Sequence, residues 1–314
     1  MAIDKNLIDQ FIKVTTKAAL SSSYLVGKKD KIAADKAAVD SMRLELNKMN
    51  IRGEIVIGEG ELDEAPMLYI GEKVGNKNGP ELDIAVDPLE GTNFAANNLP
   101  GALTVIAISE KNNLLNAPET YMEKISTKVT EKNVIDLDYS VKKNISNLSD
   151  YLNKNPENIT ACILDRPRHA KIIDELKRMK VKLKLISDGD VSGALLVTEN
   201  RHNVDIFLGI GGGPEGVLAA SALDSFGCSF QGRFLFETEE DKFRAQKMGI
   251  NDLTKKYELN EIVSDDSIFC ATGITSGDLV SGIKIEGNEF ISETLVTHKS
   301  TGLKKVIKLK QNIE

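Results

Sequence analysis

Acidic side chains in this chain collect directly after runs of apolar residues. In AVDPLEGT (85–92), Asp87 and Glu90 lie three residues apart around a proline, and the stretch contains no Lys or Arg. Two carboxylates this close repel each other unless they are protonated, solvated or shared by a cation. The motif alone fits a solvated turn in which Thr92 caps a helix. It fits equally well a divalent cation held between the acids and an anion at the helix N-terminus.

The same pattern recurs at three other places in the sequence. Acids follow predicted strands in GEGELDEAP (58–66), LISDGDV (185–191) and GIGGGPEG (209–216). In α/β folds the ends of strands are where ligands bind, and Mg²⁺ and Mn²⁺ prefer carboxylate oxygens. The recurrence favours a metal site built from carboxylates.

Cysteine and histidine do not compete with the acids for a metal. Cysteines stand at 162, 228 and 270 and histidines at 169, 202 and 298, without the clustered spacing of a zinc site. The scattered cysteines indicate a reducing compartment. We expect each histidine to lie at the surface or to make local hydrogen bonds.

Positive charge is concentrated in LDRPRHA (164–170), where Arg166 and Arg168 flank a proline after a predicted strand. Arginine presents a planar fork of donors that suits phosphate. On its own, however, the motif is also typical of surface arginines that pair with nearby acids.

A glycine motif offers a competing function. Gly211, Gly213 and Gly216 match the G-x-G-x-x-G pattern of dinucleotide-binding proteins. Glu215 lies inside the motif, and its charge would repel a pyrophosphate. NAD binding is therefore disfavoured.

Composition limits the class of protein. The 314 residues include 40 basic and 47 acidic side chains, and the net charge of −7 disfavours binding to nucleic acid or to anionic membranes. No run approaches the ~18 apolar residues of a membrane span, and MAIDKNLIDQFIKV (1–14) does not resemble a signal peptide. We expect a cytoplasmic protein with a small-molecule ligand.

Hydrophobic periodicity predicts the elements that position these motifs. Helices are expected at 5–26 and 31–49, and strands at 53–60, at 81–88, where Pro88 ends the strand, and at 102–110. Residues 128–160 are rich in Asn, Lys and Ser and predict a domain boundary or a surface connection. Strands at 160–165, 181–187 and 204–213 then alternate with helices at 169–180, 190–200 and 214–223, an order typical of α/β structure. Residues 233–261 are expected to be mostly helical, before final strands at 268–273 and around 279–308.

Several motifs, taken in order, resemble one enzyme family. ADKAAV, IVIGEGELDEAPMLYIGE, NAPETYMEKI, RPRHA, DGDV, GIGGGPEGV and ATGITSGDL span roughly residues 10–280. They resemble the class II fructose-1,6-bisphosphatases of bacteria, a branch of the lithium-sensitive, metal-dependent sugar and inositol phosphatases. DPLEGT has Glu90 where most of the wider group has Asp in D-P-[IL]-D-[GS]-[ST], and the class II branch is similar to this chain in having Glu.

The resemblance implies a fold and a domain organisation. The fold would be α/β (α+β), a layered αβαβα sandwich with two mixed sheets and helices between and outside them. An N-terminal metal-binding, catalytic domain would cover 1–158 and a C-terminal α/β substrate-binding domain 159–314, with the active site at their interface. A homo-oligomer, dimer or tetramer, is the family expectation.

The resemblance also implies roles for single residues. The metal ligands would be Asp35, Glu59, Asp87, Glu90 and Glu215, holding two to three Mn²⁺ or Mg²⁺ ions. Gly91 and Thr92 would join Glu90 at the phosphate to be cleaved. The rest of the substrate would contact Tyr121, Arg166, Pro167, Arg168, Asp188, Gly189, Asp190 and Gly212. Asp63 and Lys31 are further candidates for the catalytic site, beside Thr92.

The implied activity is hydrolysis of the 1-phosphate of D-fructose 1,6-bisphosphate to fructose 6-phosphate and phosphate, a gluconeogenic step. A water would attack phosphorus in line, and Thr92 would orient or deprotonate it, with help from a carboxylate. A related sedoheptulose bisphosphatase or inositol monophosphatase is the alternative substrate assignment. A catalytically silent sugar-phosphate sensor is an alternative of another class.

Overall fold

The computed structural model describes residues 3–58 and 67–313. The chain divides into two compact units: unit 1 comprises Met1–Asn116 and Val263–Glu314, and unit 2 comprises Ala117–Ile262. This division differs from the expected one at 158/159. The last strands of the chain pair within the sheet of unit 1, and residues 121–127 pair within the sheet of unit 2.

The helices and strands are numbered along the chain. The helices are α1 (Leu7–Ser23), α2 (Lys31–Lys48), α3 (Thr92–Asn97), α4 (Val141–Leu152), α5 (Ala170–Arg178), α6 (Asp190–Leu195), α7 (Gly213–Phe226), α8 (Glu239–Lys247) and α9 (Leu259–Ile262). The strands are β1 (Arg52–Ile57), β2 (Lys73–Val74), β3 (Glu81–Glu90), β4 (Leu103–Glu110), β5 (Tyr121–Thr127), β6 (Thr160–Leu164), β7 (Lys182–Ile186), β8 (Ile206–Gly212), β9 (Ser229–Leu235), β10 (Lys256–Glu258), β11 (Ser267–Gly273), β12 (Lys284–Glu286), β13 (Glu289–His298) and β14 (Leu303–Asn312). Within the described ranges, no helix combines the length and the apolar character that crossing a membrane requires.

Unit 1 is built on a mixed sheet with the strand order β12-β13-β11-β4-β3-β1-β2, in which β14 also pairs with β13. β1 and β3 are parallel, and β3 and β4 are antiparallel. Helix α1 buries Phe11, Val14 and Ala18 at helical spacing, as the periodicity predicted, and packs against β3, β4 and β11. Helix α2 packs against α1 and β3.

Unit 2 is built on a second mixed sheet with the order β10-β9-β5-β8-β6-β7. β6, β7 and β8 are parallel, so their carboxyl ends meet at one edge of the sheet. β5 runs antiparallel to β8 and begins at that edge, with Tyr121 opposite Gly212. The predicted α/β class with two mixed sheets is confirmed.

Two stretches differ from their predicted structure. Residues 128–160, expected to be a boundary or connection, contain helix α4, whose N-cap Ser140 accepts a hydrogen bond from the Lys143 N–H. Ile145 and Leu148 are buried in it, but its many polar residues hide this spacing. Residues 233–261, expected to be mostly helical, contain the end of β9 and strand β10 as well as α8 and α9.

One buried carboxylate ties the ends of unit 1 together. Asp266 accepts hydrogen bonds from the Ile3 N–H (2.9 Å) and the Ser300 N–H (2.8 Å), and its Oδ2 lies 2.9 Å from His298 Nε2. Asp266 is 4% exposed. These bonds join three segments that are far apart in sequence, which explains why the C-terminal strands belong with the N-terminal helices.

We expect Asp266→Asn to destabilise the protein by about 3 kcal/mol, because buried donors lose a charged acceptor. Asp40→Asn is the matched control, since the Asp40 side chain is 52% exposed and forms a surface ion pair with Lys36 one helical turn away. We expect Asp40→Asn to change the free energy of unfolding by no more than about 0.5 kcal/mol. Urea unfolding of both variants checks this, and equal stability of Asp266→Asn and wild type would contradict the role of the carboxylate.

The contribution of Asp266 depends on pH. Burial alone would raise the pKa of Asp266, but hydrogen bonds from Ser300, Ile3 and His298 lower it below its ordinary value. A carboxylate whose pKa is lower in the folded state than in the unfolded state stabilises the folded protein. This stabilisation is fully present above the pKa of the unfolded state, about 3.9, and is lost as the pH falls through the pKa of the folded state. The difference between wild type and Asp266→Asn in the free energy of unfolding should therefore shrink when unfolding is measured below about pH 4.

Candidate active site

The acidic motif of unit 1 lies on a strand that does not stop where it was expected to. β3 continues through Pro88 to Glu90, with a shift in its register against β4 between Asp87 and Glu90. Proline cannot donate to a ladder and is tolerated at such a bulge. The Thr104 hydroxyl donates to the Pro88 carbonyl (2.9 Å). Both acids are thus fixed by an irregular strand end, not by a free loop.

The two carboxylates differ in their surroundings. Asp87 is half-buried and accepts a hydrogen bond from the Leu89 N–H (3.1 Å). Glu90 is only 5% exposed. Carboxylates as buried as this are costly unless they are hydrogen-bonded, paired or bound to a metal.

Gly91, not Thr92, caps the helix that follows. Gly91 has φ 78°, and its carbonyl accepts the Phe94 N–H at 2.8 Å. A Cβ at this position would lie 2.8 Å from Phe94 Cδ2, so the turn requires glycine. Thr92 is the first residue of α3 and is half-exposed. The alternative in which Thr92 is an N-cap is therefore wrong.

Helix α2 carries two further predicted residues of unit 1. Its N-cap Asp30 accepts the Ala33 N–H (2.9 Å), and Lys31 in the first turn is exposed. Asp35 is half-buried, with a buried Oδ1. Since α2 packs against β3 and α3, Asp35 belongs to a helix that contacts the elements of the acidic motif.

The described residues do not complete the predicted metal set. Glu59 and Asp63 lie outside the described residues. Within 3–58 and 67–313, no three Asp, Glu, His or Cys side chains form a group that could hold a metal ion. The metal ligands therefore stay a prediction.

In unit 2 the predicted substrate residues collect at the edge where β6, β7 and β8 end. Arg168 donates from Nε to the Ile210 carbonyl (2.9 Å), and its guanidinium lies 4.9 Å from the centre of the Tyr121 ring. Arg166 Nη2 lies 3.6 Å from Asp188 Oδ1. The exposed Arg168 guanidinium therefore stands beside an aromatic ring, and the partly exposed Arg166 guanidinium stands beside a carboxylate. Guanidiniums presented in this way suit a phosphate group.

The turn that carries the arginines is anchored by a histidine that sequence analysis expected only as a surface or local hydrogen-bonding residue. His169 is fully buried; its Nδ1 lies 2.7 Å from the Leu164 carbonyl and its Nε2 accepts the Ile210 N–H at 2.8 Å. Burial lowers the pKa of His169, so it is neutral near pH 7. It fixes the 3-10 turn Pro167–His169, in which Pro167 is exposed, to the end of β8.

Acidic residues occupy the same edge. Gly189 has φ 83° and precedes α6, whose first residue, Asp190, is 8% exposed. Glu215 lies in the first turn of α7. Burial raises the pKa of Glu215, the positive charge of Lys124 opposes this, and the negative charge of Asp190 adds to it.

Lys124 is the residue that sequence analysis missed. It is 1% exposed on β5, forms an ion pair with Asp190 and donates to the Gly212 carbonyl at 2.6 Å. A single lysine in YMEKIST reads as a solvent-facing strand position, so only the tertiary pairing reveals it.

The two units thus present different chemistry. Unit 1 offers carboxylates on a bulged strand end beside a half-exposed threonine hydroxyl. Unit 2 offers guanidiniums and an aromatic ring for an anion, with carboxylates that can accept hydrogen bonds from hydroxyl groups.

Comparisons with known proteins agree with this chemistry. The family model described as "Bacterial fructose-1,6-bisphosphatase, glpX-encoded" matches residues 5–311. Three cyanobacterial relatives carry the name D-fructose 1,6-bisphosphatase class 2/sedoheptulose 1,7-bisphosphatase.

Identity to these relatives extends over most of each chain. The protein of Prochlorococcus marinus (strain MIT 9301) is 40% identical over 308 residues, covering 94% of this chain and 92% of that one. The protein of Synechococcus sp. (strain JA-3-3Ab) is 40% identical over 319 residues, with 94% and 92% covered. The protein of Trichodesmium erythraeum (strain IMS101) is 40% identical over 312 residues, with 91% and 90% covered. The chain therefore belongs to the family of glpX-encoded bacterial fructose-1,6-bisphosphatases.

Proposed function

We propose that this protein hydrolyses the 1-phosphate of D-fructose 1,6-bisphosphate to fructose 6-phosphate and phosphate, as a step of gluconeogenesis. The observation that carries the proposal is the grouping of Tyr121, Arg168 and Asp190 at one sheet edge, in a chain that matches the family over residues 5–311. We further propose that the acids of unit 1 act on the same substrate molecule.

The 6-phosphate would bind to the arginines. Arg166 and Arg168 have exposed donor groups, and Tyr121 is 41% exposed beside Arg168. Pro167, Gly189 and Gly212 would bring backbone groups to the substrate. Asp188 and Asp190 would accept hydrogen bonds from sugar hydroxyls, which a simple phosphate ester lacks.

The acids fit a divalent cation by their chemistry. Asp35, Asp87, Glu90 and Glu215 supply carboxylate oxygens, and the cysteines of the chain are buried, so Mn²⁺ or Mg²⁺ suits the set better than zinc. We propose two to three such ions, with Glu59 as a further ligand. When bound, they would neutralise negative charge on the phosphate oxygens.

The chain itself would position the attacking water. The Thr92 hydroxyl, half-exposed after the Gly91 turn, would orient the water or take its proton with help from a carboxylate, since a threonine hydroxyl is a weak base alone. Lys31 and Asp63 are proposed as further members of this site.

Sedoheptulose 1,7-bisphosphate is the second candidate substrate, because the relatives at 40% identity are named for both activities. Inositol monophosphate fits less well, since two arginines suit a second phosphate. A cytoplasmic location and a homo-oligomeric state, dimer or tetramer, are proposed from the family resemblance.

A substrate panel tests the proposal directly. Phosphate release with Mn²⁺ should be fastest with fructose 1,6-bisphosphate or sedoheptulose 1,7-bisphosphate, and inositol monophosphate should react at least about tenfold more slowly. EDTA should abolish release and added Mn²⁺ should restore it. Tight binding of the bisphosphate without turnover would instead support the silent sensor.

Changes in unit 1 should act on kcat. Asp87→Asn should lower kcat by about 10²-fold or more, whereas the exposed control Asp40→Asn should leave it unchanged. Thr92→Ser should keep part of the rate and Thr92→Ala should lose far more, because only serine retains the hydroxyl. Equal kcat of the two Thr92 variants would remove the hydroxyl from the mechanism.

Changes in the arginine turn should act chiefly on KM. Arg168→Ala removes a charged donor and should raise KM for fructose 1,6-bisphosphate by about 10–100-fold. Arg178→Ala, at the exposed end of α5, is the matched control and should leave KM unchanged. A wild-type KM in Arg168→Ala would exclude this residue from substrate binding.

A further inference from the structure

A lysine lies in the interior of unit 2, in the middle of strand β5. Lys124 stands opposite Gly209 of β8 and Gly232 of β9 and is 1% exposed. Its ammonium contacts Asp190 Oδ2 and donates to the Gly212 carbonyl at 2.6 Å. A buried ion pair adds little net stability compared with an apolar pair, so its presence calls for another explanation.

The glycines around the pair leave room for it. A Cβ on Gly211 would lie 2.1 Å from Asp190 Oδ2. A Cβ on Gly212 would lie 1.8 Å from Glu215 Oε2. The segment that matches a dinucleotide fingerprint in the sequence thus leaves space for the carboxylates of Asp190 and Glu215.

The two oxygens of Asp190 differ. Oδ2 is held by Lys124, whereas Oδ1 is buried and has no hydrogen-bond partner among the described residues. A buried acceptor without a donor is costly and rare in folded proteins. Asp190 therefore keeps one oxygen ready for a donor that comes from a ligand.

We propose that Lys124 is a positioning residue that fixes Asp190 and the Gly212 carbonyl, so that Asp190 Oδ1 accepts a hydrogen bond from a hydroxyl of a sugar phosphate. This rests on the proposed function, because it names how that site recognises the sugar in addition to the phosphate. Lys124 neutralises one buried acid, and Asp190 can then serve as a hydroxyl acceptor at a fixed place.

Binding of fructose 6-phosphate, measured by calorimetry without added metal, tests the proposal independently of turnover. Lys124→Met should weaken binding about tenfold or more, and Asp190→Asn should do the same. The double variant should be no weaker than Asp190→Asn alone, because Lys124 acts through Asp190. Lys128→Met, an exposed position just after β5, is the matched control and should bind as wild type does.

Inorganic phosphate is the second probe. The Lys124 variant should bind it as wild type does, since the proposed contact is to a hydroxyl. Equal weakening for phosphate and for fructose 6-phosphate would overturn the proposal, as would independent, additive losses in the double variant.

A folding defect does not remove the test. If Lys124→Met alone fails to fold, the comparison of Asp190→Asn with the double variant carries it, because both buried charges are then absent. Further weakening in the double variant would overturn the proposal.

If wild type hydrolyses fructose 1,6-bisphosphate but Lys124→Met binds fructose 6-phosphate normally, this inference fails and the proposed function stands. If the Lys124 and Asp190 variants weaken binding non-additively but wild type hydrolyses no bisphosphate, the result would count against the proposed function alone.

Discussion

Repulsion between carboxylates at strand ends is the constraint on which the candidate site depends. Buried acids must be compensated by a cation or by hydrogen bonds. In unit 2 the compensation comes from the chain itself, through Lys124 at Asp190 and Arg166 at Asp188. In unit 1 the acids at the end of β3 are proposed to share a divalent cation, which would let an anionic substrate approach a negatively charged protein.

Strand topology supplies the positions of these charges. Parallel strands β6, β7 and β8 end at one edge, and antiparallel β5 starts there, so residues from four segments meet without long loops. Two glycines make the local geometry possible. Gly91 allows the left-handed turn before α3, and Gly211 leaves space for Asp190. The two arginines and Asp188 thereby lie in short turns directly after strand ends, which suits selective binding of one substrate.

Local patterns in the sequence were sufficient to predict several helices and strands and the acids that follow them. The apolar spacing of α1, and the acids after β7 and β8, follow from side-chain periodicity and strand-end chemistry. Lys124 could not be found this way, because its partner Asp190 is 66 positions away and a single lysine in a strand predicts exposure. The roles of His169 and Asp266 could not be found either, because their partners are also distant in sequence. His169 contacts β8, and Asp266 joins the two ends of unit 1. Helix α4 was missed because polar residues obscure its two buried apolar positions, Ile145 and Leu148.

The acids on the bulged strand β3 are proposed to bind a divalent cation. Anomalous diffraction at the manganese edge, from crystals grown with Mn²⁺, measures this directly. We expect a manganese peak within about 2.0–2.3 Å of carboxylate oxygens of Asp87 and Glu90, and we expect it to be lost in Asp87→Asn crystals. Manganese bound only elsewhere, with both carboxylates turned to solvent, would contradict it.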